Sequence, residues 1–140
     1  MPDRMLDVLL IEDDEIDQKM VRRHLDDSNV RLHIARDVTM AIDLLRNRRD
    51  LTPDRQRWLI LLDLNLPGAG GLEFLNYLRA TPELAAIPVV VITTSMDTRD
   101  LRKAYQHHVS GYFIKPLEPM SFRRRLQAIT RYWSESEMSA

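Results

Sequence analysis

Four short apolar runs in this chain end in residues that could do chemistry together. Val8-Leu9-Leu10-Ile11 runs into Glu12-Asp13-Asp14, and Trp58-Leu59-Ile60-Leu61-Leu62 runs into Asp63. Val89-Val90-Val91-Ile92 ends in Thr93-Thr94-Ser95, and Tyr112-Phe113-Ile114 ends in Lys115-Pro116. In order, these are acids, an acid, hydroxyls and an ammonium. Hard cations such as Mg²⁺ take oxygen ligands and usually keep several waters. Asp13 and Asp63 can each supply a carboxylate oxygen, Glu12 can act directly or through a water, and the backbone carbonyl of Asn65 would complete the protein's share. Three acids in one cleft repel one another, so a counter-ion is demanded. Lys115 could supply part of it and a metal the rest. A carboxylate neutralised in this way can accept a phosphoryl group, and aspartyl phosphate is among the known covalent intermediates. Such transfer is mostly positioning and charge stabilisation, which a metal, Lys115 and the Thr93 hydroxyl would provide around Asp63. A lone acid after an apolar strand is more often a turn or cap residue, and a Lys-Pro pair alone says little. Four such ends in order say far more than any one of them.

To meet, those ends must lie on one edge of one sheet. Five apolar residues followed at once by turn formers fit a strand buried on both faces. The runs alternate with segments of helical period, which reads as βαβ units and a parallel sheet. Ligands of open α/β sheets bind at the carboxyl ends of the strands. The first strand is placed at about Leu6 to Ile11. A helix follows from about Glu15 to Asp27, with Met20, Val21, His24 and Leu25 on one face. Arg31 to Ala35 alternates as a short strand. Asp37 caps a helix with Val38, Ala41, Ile42 and Leu45 in line. A polar, basic surface connection from Arg46 to Arg57 contains Pro53, which breaks any helix. Gly68-Ala69-Gly70-Gly71 leads into a helix carrying Leu72, Leu75 and Leu78. Asp97 or Thr98 starts another, carrying Leu101, Ala104, Tyr105 and His108. Gly111 opens the last strand. Pro119 suits the first turn of a final helix with Phe122, Leu126, Ile129 and Trp133. The expectation is α/β, with five strands and five helices.

At 140 residues and 44% hydrophobic, the chain suits one domain with a real core, residues 1–140. With 20 basic and 21 acidic residues, its net charge of −1 argues against nucleic acid as the main partner. The absence of cysteine excludes a disulfide framework and thiol chemistry. Met1-Pro2-Asp3-Arg4 begins no signal peptide and no apolar run reaches membrane length, so the expected place is the cytoplasm.

Glu12-Asp13, Asp63, Thr93 and Lys115-Pro116, spread over five βα units, resemble the receiver domain of two-component response regulators. The resemblance covers about residues 5 to 134. It implies a flavodoxin-like, doubly wound sheet in the order 2-1-3-4-5. It also implies that a histidine kinase donates a phosphoryl group to Asp63 with Mg²⁺ or Mn²⁺ bound. By the same resemblance, Glu12, Asp13, Asp63 and the Asn65 carbonyl hold the metal. Thr93 and Lys115 bind phosphoryl oxygens, Tyr112 is the aromatic that turns inward on activation, and the Lys115–Pro116 bond is cis. Glu12 stands where many receivers have Asp, Gly70 replaces a frequent acid, and Thr94 is larger than the usual small neighbour. The wording Leu62-Asp63-Leu64-Asn65-Leu66-Pro67, the basic connection before it and Leu117 resemble stand-alone receivers paired with bacterial phytochromes.

The resemblance implies a phosphorylation switch with a protein contact as its output. Two other classes stay in view: a phosphohydrolase with an Asp nucleophile, and an interaction module indifferent to phosphorylation. Against the first, the first strand ends in Glu12-Asp13-Asp14, and no cap domain fits in the chain. His24 and His108 fall on apolar helical faces and read as core-edge residues. Arg123-Arg124-Arg125 spreads around a helix rather than forming one patch. Ile16 lies off the apolar face of its helix, beside the acids, where the family docks its kinase. A homodimer is expected through the fourth helix, fifth strand and fifth helix, using Tyr132 and Trp133 beside Arg102, Arg123 and Arg125.

Overall fold

The four apolar runs and the alternating segment before Arg36 form one parallel sheet. In a computed structural model, which describes residues 5–26, 29–52, 57–68 and 70–138, the strands are β1 (Leu6–Ile11), β2 (Val30–Ala35), β3 (Trp58–Leu62), β4 (Val89–Thr93) and β5 (Gly111–Ile114). Their order is β2-β1-β3-β4-β5 and every pairing is parallel, the flavodoxin-like doubly wound arrangement. β1, β3 and β4 are buried along their whole length. The edge strand β2 is mostly half-buried, which matches its weaker alternation.

Because side chains alternate across a strand, each run feeds two cores. Leu9, Ile11, Ile60, Leu62, Val89 and Val91 face one side. There they meet α2 (Val38–Arg46), α4 (Gly71–Ala80) and α5 (Thr98–Gln106). Val8, Leu10, Leu59, Leu61, Val90 and Ile92 face the other. They pack on Val21 and Leu25 of the α1 (Glu15–His24) region and on Phe122, Leu126 and Ile129 of α6 (Pro119–Glu135). Four helices start on an acidic cap. Asp14 accepts from the Ile16 N–H, Asp37 from Met40, Asp97 from Arg99, and Glu118 from Met120 and Ser121. Each such cap contributes roughly 1 kcal/mol.

The five expected helices are joined by a sixth, α3 (Arg48–Leu51), inside the polar connection. The Thr52 N–H and hydroxyl close it on the Arg48 carbonyl, and the buried Arg48 guanidinium anchors it by donating to the carbonyls of Leu45 and Glu83, both at 2.8 Å. Arg79 similarly ties the turn before β4 to the end of α5, donating to the carbonyls of Ala85 and Ile87 and to those of His107 and His108. The expected apolar face of α5 is narrower than its spacing implied. Ala104 alone is fully buried, while Leu101 and Tyr105 are exposed and His108 lies beyond the helix end at φ +60°. Asp27, Pro53, Ala69 and the first four residues lie outside the described residues.

Candidate functional site

The parallel sheet delivers all four chemical strand ends to one edge. The N–H of Asp63 donates to the Ile11 carbonyl at 3.1 Å, and that of Lys115 to the Thr93 carbonyl at 2.8 Å. The ladder itself therefore sets each end beside its neighbour. Glu12, Asp13 and Asp63 each bring a carboxylate oxygen within 4.8 Å of the others. Glu12 and Asp63 are buried and Asp13 is exposed. An all-oxygen donor set open on one side fits Mg²⁺ or Mn²⁺.

Lys115 sits among the carboxylates. Its Nζ donates to Glu12 Oε1 at 2.5 Å, Asp17 Oδ2 at 2.7 Å and Asp63 Oδ2 at 3.0 Å. Burial works against the ammonium, but the hydrogen bonds to Asp17 and Glu12 and the charges of Glu12 and Asp63 hold its pKa above the usual value. Burial pushes the Glu12 carboxyl up to about 7, with the Asp63 charge adding to the rise and Lys115 opposing it. Folding therefore retains a proton that the unfolded chain releases near 4.5. Stability falls as pH rises from there to about 7, by about 3 kcal/mol for so buried a group. In metal-free buffer Glu12→Gln is expected to remove most of that fall. Denaturant unfolding at pH 5 and pH 8 checks it: equal pH dependence in both proteins would contradict the buried, charge-crowded carboxyl.

The hydroxyl end is built around Thr93, which is fully buried. Its Oγ1 accepts from the Ser95 N–H at 3.2 Å and faces Asn65 Nδ2 at 3.4 Å, and the same amide donates to Thr94 Oγ1 at 3.2 Å. Tyr112 is half-buried and its hydroxyl donates to the Ser95 carbonyl at 3.2 Å. Ser95 Oγ in turn bonds Asp100 at 2.6 Å. Ser95 thus links Thr93 to Tyr112. The Lys115–Pro116 bond is trans, which corrects the cis expectation; trans is the form X-Pro bonds prefer by roughly 0.5–1 kcal/mol. Gly71 is required by contact, since a Cβ there would lie 2.7 Å from Leu64 Cα and 3.0 Å from the Asp63 carbonyl. Gly70 meets no such contact, while Gly68 adopts φ +70°.

Two participants escaped the sequence reading, Asp17 and the Asn65 side chain, and Ser95, read there as one of the hydroxyls, had no bridging role assigned. Asp17 alone carried a signal, as an acid in the first turn of the helix that opens directly after Glu12-Asp13-Asp14. Ile16 is 70% exposed beside the acids, as its position implied. His24 does sit at the core edge, ring edge against Phe122. His108 does not; it is exposed. Arg123, Arg124 and Arg125 are exposed, with Arg125 over the Phe113 ring.

Residues 8–127 match the response regulator receiver domain, and the chain belongs to that family. It is a family of signalling proteins. Among relatives, it is 38% identical over 128 residues to the probable methanogenesis regulatory protein FilR2 of Methanothrix harundinacea, covering 90% of this chain and 82% of that one. It is 35% identical over 131 residues to the response regulator Rcp1 of Synechocystis, covering 92% and 89%. The phosphorylated cyanobacterial phytochrome response regulator RcpA has the same fold with a TM-score of 0.86 at 29% identity, over 97% of this chain and 99% of its own. The Mn²⁺-bound form of Rcp1 gives 0.82 at 34% identity, over 96% and 99%. Among the described residues, no helix is long and apolar enough to cross a membrane.

Proposed function

We propose that this protein is a single-domain response regulator in which Asp63 accepts a phosphoryl group from a sensor histidine kinase. The carrying observation is the Lys115 ammonium on Asp63 Oδ2, beside the Glu12, Asp13 and Asp63 oxygens, at the carboxyl edge of a receiver sheet. An Asp63 carboxylate oxygen attacks the phosphorus of a phosphohistidine. The P–O bond forms, the P–N bond breaks, and the imidazole leaves with a proton. Glu12, Asp13, Asp63 and the Asn65 carbonyl would hold Mg²⁺ or Mn²⁺, which would supply positive charge to offset that of the transferring group. Lys115 and the Thr93 hydroxyl take the remaining oxygens. Beyond its own phosphorylation and dephosphorylation the protein catalyses nothing, and it works in the cytoplasm. The likeness to Rcp1 and to the cyanobacterial phytochrome response regulator RcpA supports a bacterial phytochrome kinase as donor. Phosphotransfer from a panel of phosphorylated histidine kinases tests the reading. Rapid transfer from a phytochrome kinase supports it, and transfer from none overturns it.

Thr93 and Tyr112 carry the switch. When the Thr93 hydroxyl turns to a phosphoryl oxygen, the Ser95 N–H loses its acceptor, and the loop holding Tyr112 moves. A ligand shifts such an equilibrium only through contacts that differ between the two states. Thr93→Ala should still be phosphorylated but lose most of the response at the face formed by α5, β5 and α6. Amide exchange with equal protection changes in both proteins would sink this route.

That same face makes the homodimer. Leu101, Tyr105, Ile114 and Tyr132 are exposed along it, with Arg102 on α5 and Arg125, over the Phe113 ring of β5, as its charged surround; Arg123, also expected there, lies instead toward α1, beside His24. A two-fold contact uses the same patch on both copies. Sedimentation at tens of micromolar with and without beryllofluoride is expected to show a dimer strengthened by the phosphoryl mimic; a monomer in both conditions refutes it.

A further inference from the structure

The three N–H donors of Lys115 go to three carboxylates, and only two of those belong to the acid trio. The third is Asp17, in the first turn of α1. The ordinary task for an acid there is to offset the helix dipole or close a capping box. A capping box would send the Asp17 carboxylate back to the Asp14 N–H. That N–H donates instead to Glu12 Oε2 at 3.3 Å, and Asp14 Oδ1 already caps the Ile16 and Asp17 N–H groups. The Asp17 carboxylate reaches across to the end of β5, where Lys115 Nζ lies at 2.7 Å.

We propose that Asp17 is a positioning residue that shares the Lys115 ammonium with Glu12 and Asp63 and holds it when a divalent cation takes their oxygens. This rests on the reading of Glu12, Asp13 and Asp63 as cation ligands. Glu12 and Asp63 must serve both Lys115 and the cation, and a positive charge bonded to them opposes a second one. Asp17 shares the ammonium without belonging to the trio. Its loss leaves Lys115 with Glu12 and Asp63 as its partners, so the ammonium settles on the two oxygens the cation needs. Asp17 therefore strengthens cation binding without being a ligand, and it does so through Lys115.

Calorimetric titration with Mn²⁺ alone tests this in wild type, Asp17→Asn, Lys115→Met and the double variant. Asp17→Asn is expected to weaken binding about tenfold, and in the Lys115→Met background by less than about twofold. Asp17→Glu, which keeps the charge, should recover most of the loss. Equal weakening in both backgrounds would make Asp17 a general negative charge and overturn the proposal, as would no weakening in the single variant. Failure of the parent reading looks different: the wild type itself would then take up no Mn²⁺. Thermal unfolding of Asp17→Asn separates a lost fold from a displaced lysine, and Asp17→Glu supplies a second variant if the first is unstable.

Discussion

Asp63→Asn is expected to lose phosphoryl labelling by roughly a hundredfold or more, from either a phosphorylated kinase or acetyl phosphate. Both oxygens of Asp63 are engaged. Oδ1 accepts from the Asn65 N–H at 3.0 Å and Oδ2 from Lys115 at 3.0 Å. An amide fits the same space, but it lacks the anionic oxygen that must attack phosphorus. Whichever way it turns, its NH₂ group meets one of those two donors. The fold should survive, because removing one of three crowded acids also relieves repulsion. Thermal unfolding in metal-free buffer at or above the wild-type midpoint, together with absent labelling, is the expected pair of results. If Asp63→Asn labels like wild type while Asp13→Asn does not, Asp63 is not the acceptor.

The strand ends that carry this argument were legible because a parallel sheet covered on both faces demands unbroken apolar runs. β1, β3 and β4 are such runs, and each stops where the chemistry begins. The faces of α1, α2 and α6 were legible for a related reason. Val21, Ala41, Leu45, Phe122, Leu126 and Ile129 recur at helical spacing and are all buried. α5 misled because Leu101 and Tyr105 keep that spacing without a partner, while the helix sits down through Ala104. Spacing reports a potential apolar face; it does not report whether anything covers it.

α3 and Asp17 were hidden for a different reason. Arg48 is read as one of several basic residues in a polar stretch until its guanidinium is seen on the distant Glu83 carbonyl. Asp17 is indistinguishable in sequence from an acid that merely complements a helix N-terminus. Both roles depend on contacts between residues far apart in the chain, and local pattern carries no trace of them. The acids, hydroxyls and ammonium escaped that difficulty because the topology gathers every strand end onto one edge. The Asn65 side chain lay at such an end and was still missed, since its backbone carbonyl was the only group assigned a task.

Asp13 makes the sharpest test of the cation reading, because of the three acids it is the one not bonded to Lys115. A cation approaching from solvent meets Asp13, which is exposed, before it contests Glu12 and Asp63 with the ammonium. Asp13→Ala removes one of three carboxylates and part of the charge that offsets dehydration of the ion. Losing an outer-shell partner of a metal ligand already costs roughly ten- to a hundredfold in affinity, so losing a ligand should weaken Mg²⁺ or Mn²⁺ binding by about a hundredfold or more. Asp14→Ala is the matched control. Asp14 is the next residue along and is also exposed, yet its carboxylate caps α1, so its loss should cost helix stability of about 1 kcal/mol and little affinity. Calorimetry suits the measurement better than tryptophan emission, since Trp58 begins β3 and Asp63 follows its other end. Unchanged cation affinity in Asp13→Ala, or an equal loss in Asp14→Ala, would remove Asp13 from the ligand set and leave Glu12 and Asp63 as partners of Lys115 alone.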